Sequence, residues 1–243
     1  MNRILIIGAN SDIAKATAEI YAFNGFDLIL ALRNKKSIET YAKDLEIRHE
    51  INIETIEFDV TNFADHKRIY DNIKIKPIGV IYAAGVLEDQ KQCERSFTAV
   101  LNTINVNFLG AVSILNIIAN DFENKKEGFI VGISSVAGER GRASNYIYGA
   151  SKSAFTSYLS GLRNRLSKSH VHVLTVKPGF VKTKMTQNLK LPHLLTASAI
   201  DVARDIYKGQ QKQKNILYTK RIWHFVMLVI RLIPENIFKF MKL

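Results

Sequence analysis

Residues 133–154 read ISSVAGERGRASNYIYGASKSA, and this stretch sets the kind of fold and chemistry to look for around it. Tyr148 and Lys152 are four residues apart. On a helix that spacing puts both side chains on one face, about 40° apart. A free tyrosine titrates near pH 10 (about 10), and a neighbouring ammonium favours the phenolate, bringing the hydroxyl within range of proton transfer near neutrality. Tyr146 competes for the same lysine but falls roughly 120° away round the helix, which leaves it out of the pair. Ser135, thirteen residues before Tyr148, ends an apolar run and is placed to hold a carbonyl oxygen against the tyrosine.

Outward from this segment the chain alternates short apolar runs with helix-length stretches. Strands are expected at 3–8, 26–32, 53–58, 78–83, 128–134, 171–176 and 215–219, with helices between them at 12–24, 35–49, 97–122 and 146–168. Short apolar runs alternating with helix-length segments are the signature of a parallel sheet with helices on both faces. The expected fold is α/β: a single doubly wound Rossmann domain with a seven-stranded parallel sheet over residues 1–219. Residues 220–243 form a separate apolar and basic helical extension.

The first strand runs into IIGANSDIAKA, residues 6–16. A phosphate-cradling turn offers free backbone N–H groups and the positive end of a helix to a pyrophosphate. Three glycines are usual there; this chain has Gly8, then Asp12 and Ala14. Gly8 supplies the turn, and Asp12 stands at a natural N-cap position. Ala14 is the smallest side chain left for helix packing. On this reading Asn10, Ser11, Asp12 and Ile13 present their backbone to the ligand, with the Asp12 carboxylate turned outward. By itself the loop fits a plain strand–turn–helix equally well.

Composition removes several function classes. A single cysteine, Cys93, excludes an intrachain disulfide and a cysteine-cluster metal site. The six histidines show no metal-ligand spacing, so no metal is assigned. The apolar start is short and enters a loop at once, as a buried strand does and a leader peptide does not, which points to a cytoplasmic protein. The formal charge is +12, yet residues 208–243 hold eight Lys/Arg against Glu235 alone. Basicity gathered in an apolar tail speaks for an anionic membrane surface rather than for nucleic acid.

Taken with Ser135, Tyr148 and Lys152, further motifs in the same order make the chain resemble the short-chain dehydrogenase/reductase family over residues 1–219. They are YAAG at 82–85, NFLG at 107–110, PGFVKT at 178–183 and FDVT at 58–61. Tyr82 and Ala83 depart from the family's two asparagines. The resemblance implies hydride transfer between a nicotinamide cofactor and a carbonyl or alcohol carbon. Tyr148 is then the general acid/base. Lys152 lowers its pKa and binds the ribose, Ser135 orients the substrate oxygen, and Asn107 holds a water linking Lys152 to bulk. It also implies cofactor contacts from Ala83, Ala84 and Gly85, from Asp59 and Val60 at the adenine, and from Pro178, Gly179, Val181 and Thr183 at the nicotinamide end. A homodimer or homotetramer is a family expectation.

At the end of the second strand Leu32 stands where an acidic residue would bind a ribose hydroxyl, and Arg33 follows. Arg33 suits a 2′-phosphate, so NADP is favoured, with NAD the alternative. Lys35 and Lys36 fit a solvated helix start. The tail from Trp223 to Ile233 is apolar but spans only about 16 Å as a helix, against about 30 Å of bilayer core. It reads as an element lying in an anionic membrane interface, or as a pocket cover or oligomer contact. The first motif and the tail together resemble the branch with decaprenylphosphoryl 2-keto-pentose 2-reductases, which implies a small-molecule or lipid-linked carbonyl substrate. Residues 184–199 stand where the family covers its substrate, with Lys182 and Lys184 near a pocket mouth. A catalytically silent cofactor-binding sensor or scaffold and an epimerase on the same scaffold are the competing readings.

Overall fold

A computed structural model describes residues 2–187 and 191–241. In chain order the elements are β1 (Arg3–Ile7), α1 (Asp12–Phe23), β2 (Asp27–Leu32), α2 (Glu39–His49), β3 (Ile53–Glu57), α3 (His66–Asp71) and β4 (Gly79–Tyr82). Then come α4 (Gln90–Arg95), α5 (Phe97–Ile104), α6 (Gly110–Lys125), β5 (Phe129–Ile133), α7 (Tyr146–Leu166) and β6 (His172–Pro178). Last are β7 (Phe180–Lys182), β8 (Thr196–Ser198), α8 (Ala199–Gln211), β9 (Ile216–Thr219), α9 (Ile222–Leu232) and α10 (Glu235–Phe238).

Seven strands pair in parallel in the order β3-β2-β1-β4-β5-β6-β9. The expected strands all form, each within two residues of its expected ends. β7 and β8 make a small separate pair. At three residues each they carry too little pattern to be read from sequence. The central strands β2, β4 and β5 are buried along their whole length because both sheet faces are covered, whereas the edge strand β3 is not. Ile4, Ile6, Leu28 and Leu30 point into one core with Tyr21 of α1 and Ile206 of α8. Leu5, Ile7, Ile29 and Val80 point into the other, with Ile114, Phe122, Phe155 and Leu159 of α6 and α7.

The run Phe97–Lys125 is long and apolar enough to cross a membrane by length and composition. Here Ile114, Leu115, Ile118 and Phe122 bury it against the sheet. Inside it, residues Asn105–Leu109 form one widened turn of π type, a local distortion that often marks functional positions.

The strand order reverses between β1 and β4, which opens a crevice at the carboxyl ends of those strands. The tail is not a free appendage. Trp223 and Met227 are buried on Val136, with Phe180, Leu195 and Tyr218 packed around them. Arg140 holds the far end. Its guanidinium donates to the Ile230 and Ile233 carbonyls, both at 2.6 Å, pairs with Glu235 at 2.8 Å and lies 3.7 Å over the Phe238 ring. A cation there also complements the negative end of α9.

Candidate active site

A cavity of 320 Å³ occupies the crevice. Its wall includes Asn10, Ser11, Asp12 and Ile13 after β1, Ala83, Ala84 and Gly85 after β4, Ser135, Tyr148 and Lys152, and Pro178, Gly179, Val181 and Thr183 after β6. Fourteen residues singled out from sequence therefore meet in one place. Gly8, Arg33, Asp59, Val60 and Asn107 stand off the wall.

Gly8 lies beneath the loop at φ +80°, and a β-carbon on it would sit 2.5 Å from the Ala84 nitrogen. Only glycine permits that backbone conformation together with so close an approach of the two loops. The helix cap differs from expectation. Ser11, not Asp12, caps α1, accepting from the Ala14 N–H at 3.2 Å. Asp12 is the first helical residue, and its carboxylate accepts from the Lys184 N–H at 2.6 Å. That bond fastens the first loop to the segment after β7 and holds the carboxylate away from the helix axis. The N–H groups of Asp12 and Ile13, in the first turn, have no intrahelical acceptor. A tight glycine turn, a positive helix end and a crevice running on to Tyr148 fit a dinucleotide.

The catalytic candidates converge from three elements. Ser135 follows β5, and its neighbour Ser134 donates to the Lys152 carbonyl at 3.0 Å and shares a 2.7 Å bond with Thr156. Those bonds dock the end of β5 on α7. The Ser135 side chain lies close enough to the Tyr148 hydroxyl to favour its ionised form. Lys152 Nζ lies 5.9 Å from the centre of the Tyr148 ring and donates to the Ile133 carbonyl at 3.0 Å. Tyr146 points elsewhere, towards Glu94, as its helical angle requires.

The electrostatics correct one sequence expectation. Burial pushes the Tyr148 hydroxyl above its ordinary value, and the Ser135 side chain opposes that. Lys152 is not what pulls it down in this structure. Burial lowers the lysine itself to about 8, because an ammonium 4% exposed loses its hydration. The folded protein therefore gives up the Lys152 proton at a lower pH than the unfolded chain. Stability contributed by this group rises with pH between about 8 and 10.5, and its burial cost is fully present below about 8, at about 3 kcal/mol. Lys152→Met should make the protein more stable at pH 7, by about 1–3 kcal/mol once the lost Ile133 bond is deducted. That advantage should fade toward pH 10.5. Urea melts at both pH values measure it; a variant no more stable than the parent at pH 7 overturns the assignment.

Asn107 sits in the widened turn with its side chain committed. Its Oδ1 accepts from the Val86 N–H at 2.8 Å, and its Nδ2 donates to the Val86 carbonyl and to Ser151 Oγ, both at 3.0 Å. Ser151 in turn donates to the Tyr148 carbonyl at 2.7 Å. The amide thus ties the loop after β4 to the tyrosine's own helix turn, rather than standing free to hold a water. Sequence reasoning missed the support below it. The fully buried Tyr82 hydroxyl donates to the Val106 carbonyl at 2.8 Å, bracing the turn that carries Asn107. The departure from asparagine at position 82 is a packing solution.

Arg33 is exposed just past β2, and its charge reaches Asp59. Burial raises the Asp59 carboxyl, but bonds from the Thr61 N–H and hydroxyl, then Arg33, outweigh it and leave it below its usual value. Val60 faces the core under α6. Lys184 borders the cavity, whereas Lys182 is an exposed residue off its wall. Leu87, Val136, Phe180 and Met185 add an apolar side that the motifs did not announce. Of the expected covering segment 184–199, residues 188–190 lie outside the described residues.

The family model described as short chain dehydrogenase matches residues 2–193. The chain belongs to the short-chain dehydrogenase family. Among curated relatives of this dehydrogenase is an uncharacterised oxidoreductase of Mycobacterium tuberculosis. It is 28% identical over 239 residues, covering 97% of this chain and 95% of that protein. Another, from Schizosaccharomyces pombe, is an NADP-dependent 3-hydroxy acid dehydrogenase, 28% identical over 75% of this chain and 73% of its own. A solved short-chain dehydrogenase from Sphingobium yanoikuyae, in complex with NADPH, superposes with a TM-score of 0.83 at 22% identity over 97% of both chains. As a member of the family this dehydrogenase is an oxidoreductase working between an alcohol and a carbonyl compound.

Proposed function

We propose that this dehydrogenase reduces a carbonyl substrate with NADPH, Tyr148 giving the proton. The observation that carries the reading is that Ser135, Tyr148 and Lys152 meet on one cavity wall, with Lys152 Nζ 5.9 Å from the centre of the Tyr148 ring. When bound, the nicotinamide supplies the hydride. The chain's own residues do the rest. Ser135 holds the substrate oxygen beside the tyrosine. Tyr148, kept protonated by burial, donates its proton as negative charge grows on that oxygen. Lys152 is cationic below about pH 8 and favours the phenolate left behind. Asn107 is a positioning residue, acting through Val86 and Ser151.

Gly8, Asn10, Ser11, Asp12, Ile13 and the loop 83–85 would hold the pyrophosphate half, and Pro178, Gly179, Val181 and Thr183 the nicotinamide end. Arg33 meets the 2′-phosphate, with Asp59 and Val60 near the adenine. NADP rather than NAD is supported by Leu32 and Arg33 at the end of β2, and by the two NADP-using proteins described above. Arg33→Ala is expected to raise the KM for NADPH about tenfold, the value of one charge-assisted pair, and to leave NADH use unchanged. Steady-state assays with both cofactors decide it. Better turnover with NADH, unaffected by the substitution, would refute the preference.

For the substrate, we propose a ketone carried on an apolar or lipid-linked group. Leu87, Val136, Phe180 and Met185 give the cavity an apolar side suited to such a portion. NADPH oxidation is to be followed with short water-soluble ketones and with polyprenyl-linked keto-sugars. Higher kcat/KM for the lipid-linked compounds is expected; the reverse order removes this reading.

A further inference from the structure

Helix α9 is apolar on two sides. Trp223, Val226, Met227 and Ile230 face the domain, against Val136, Phe180 and Leu195. Ile222, Phe225, Val229 and Leu232 form a second stripe, within about 80° of one another round the axis. They are 47%, 65%, 62% and 72% exposed. Ile237 and Phe240 beyond Pro234 are 58% and 79% exposed and extend the apolar surface. A helix that is apolar all round is normally buried on every side; among the described residues this one has a partner on only one side.

We propose that the outer stripe of α9, with Ile237 and Phe240, seats the protein on an anionic lipid bilayer. Charge selects this occupant. Residues 220–243 carry Lys220, Arg221, Arg231, Lys239 and Lys242 against Glu235. Arg231 reaches Glu139 of the domain at 3.8 Å and Lys220 donates to the Leu194 carbonyl. Among the described residues that leaves Arg221 and Lys239 as exposed cations beside the stripe. A second copy related by a twofold axis would bring these like charges face to face, whereas an anionic leaflet offers the complement. Length agrees, since α9 reaches about half the depth of a bilayer core and Pro234 ends it. An apolar stripe with basic flanks therefore lies in the interface. The docking rests on the tail alone and does not depend on the reductase reading. It has a consequence for the site nonetheless. The inner side of the same helix sets Trp223 edge-on against Phe180 and covers Gly179, so docking holds the cavity beside the lipid surface.

The test is co-sedimentation of the full chain with vesicles of phosphatidylcholine containing one third phosphatidylglycerol, and with phosphatidylcholine alone. Binding to the anionic vesicles is expected to be about tenfold stronger, and to fall by a similar factor between about 0.1 and 1 M salt. The combined variant Phe225→Ser, Val229→Ser, Leu232→Gln should lose that binding about tenfold while keeping the parent's thermal melt, since none of the three faces the domain. Should it melt early, Arg221→Gln with Lys239→Gln gives the same comparison through charge. Equal binding to both vesicle types, or none to either, overturns the proposal. So does a change from dimer to monomer in the triple variant with vesicle binding unaltered, which would make a second copy the occupant.

Discussion

Tyr148→Phe is expected to lower kcat about 10³-fold with little change in cofactor affinity. General acid catalysis by a positioned side chain contributes roughly 10²–10⁴-fold, and removing one hydroxyl removes all of it. The substitution is close to isosteric, so the cavity wall keeps its shape. The ring packs as before, and only the hydroxyl beside Ser135 is lost. The outcome is read by single-turnover NADPH oxidation beside fluorescence titration of NADPH. Turnover within tenfold of the parent, with binding intact, would show that the proton comes from another group. Loss of both together would instead mean that the tyrosine organises the site rather than serving it.

Gly8→Ala should be the most damaging single change in the first loop. The residue has φ +80°, and an added β-carbon would lie 2.5 Å from the Ala84 nitrogen and 2.6 Å from its α-carbon. Both neighbours are backbone, so no side chain can swing aside. The left-handed conformation alone costs an alanine about 1–2 kcal/mol. Separating β1 from β4 to admit the methyl group adds an overpacking cost of about 1–3 kcal/mol. The loops carrying Asn10–Ile13 and Ala83–Gly85 would move apart, and the cofactor bridges them. NADPH affinity should fall at least about 100-fold, and the melting temperature by about 5–10 °C. Calorimetric melts and titration test this. A variant with parental stability and affinity would show that the two loops do not need their close contact.

How much of this was legible before the structure follows from the physics of each feature. The parallel sheet was legible because short apolar runs alternate with helix-length segments. Tyr148 with Lys152, and the exclusion of Tyr146, were legible because helical spacing is a fixed angle. Contacts between distant segments were not. Ser11 and Asp12 are adjacent and both able to cap. Only the tertiary bond from the Lys184 N–H, 172 residues on, shows that Asp12 is otherwise engaged. Nor does a sequence reveal that Lys152 is so deeply covered that its own proton is loosened. Tyr82 looked like a damaged motif until its hydroxyl was seen bracing Val106. The apolar tail announced itself by composition, while the division of α9 into an inner and an outer side needed the position of Trp223.

Trp223 also bears on the order in which the protein is made. A β-carbon on Gly179 would lie 2.0 Å from the Trp223 ring, so the ring itself closes the site at that point. Arg140, attached just past Ser135, waits for Ile230, Ile233 and Glu235. The last strand, β9, ends four residues before Trp223, so every strand is made before the ring that backs Gly179. A chain stopped at the end of β9 would carry every residue that lines the cavity, but Val136 and Phe180 on its wall would lose the Trp223 ring packed behind them. Shortening the tail is therefore not a neutral way to ask what the tail does. The packing behind the wall is made after the wall itself.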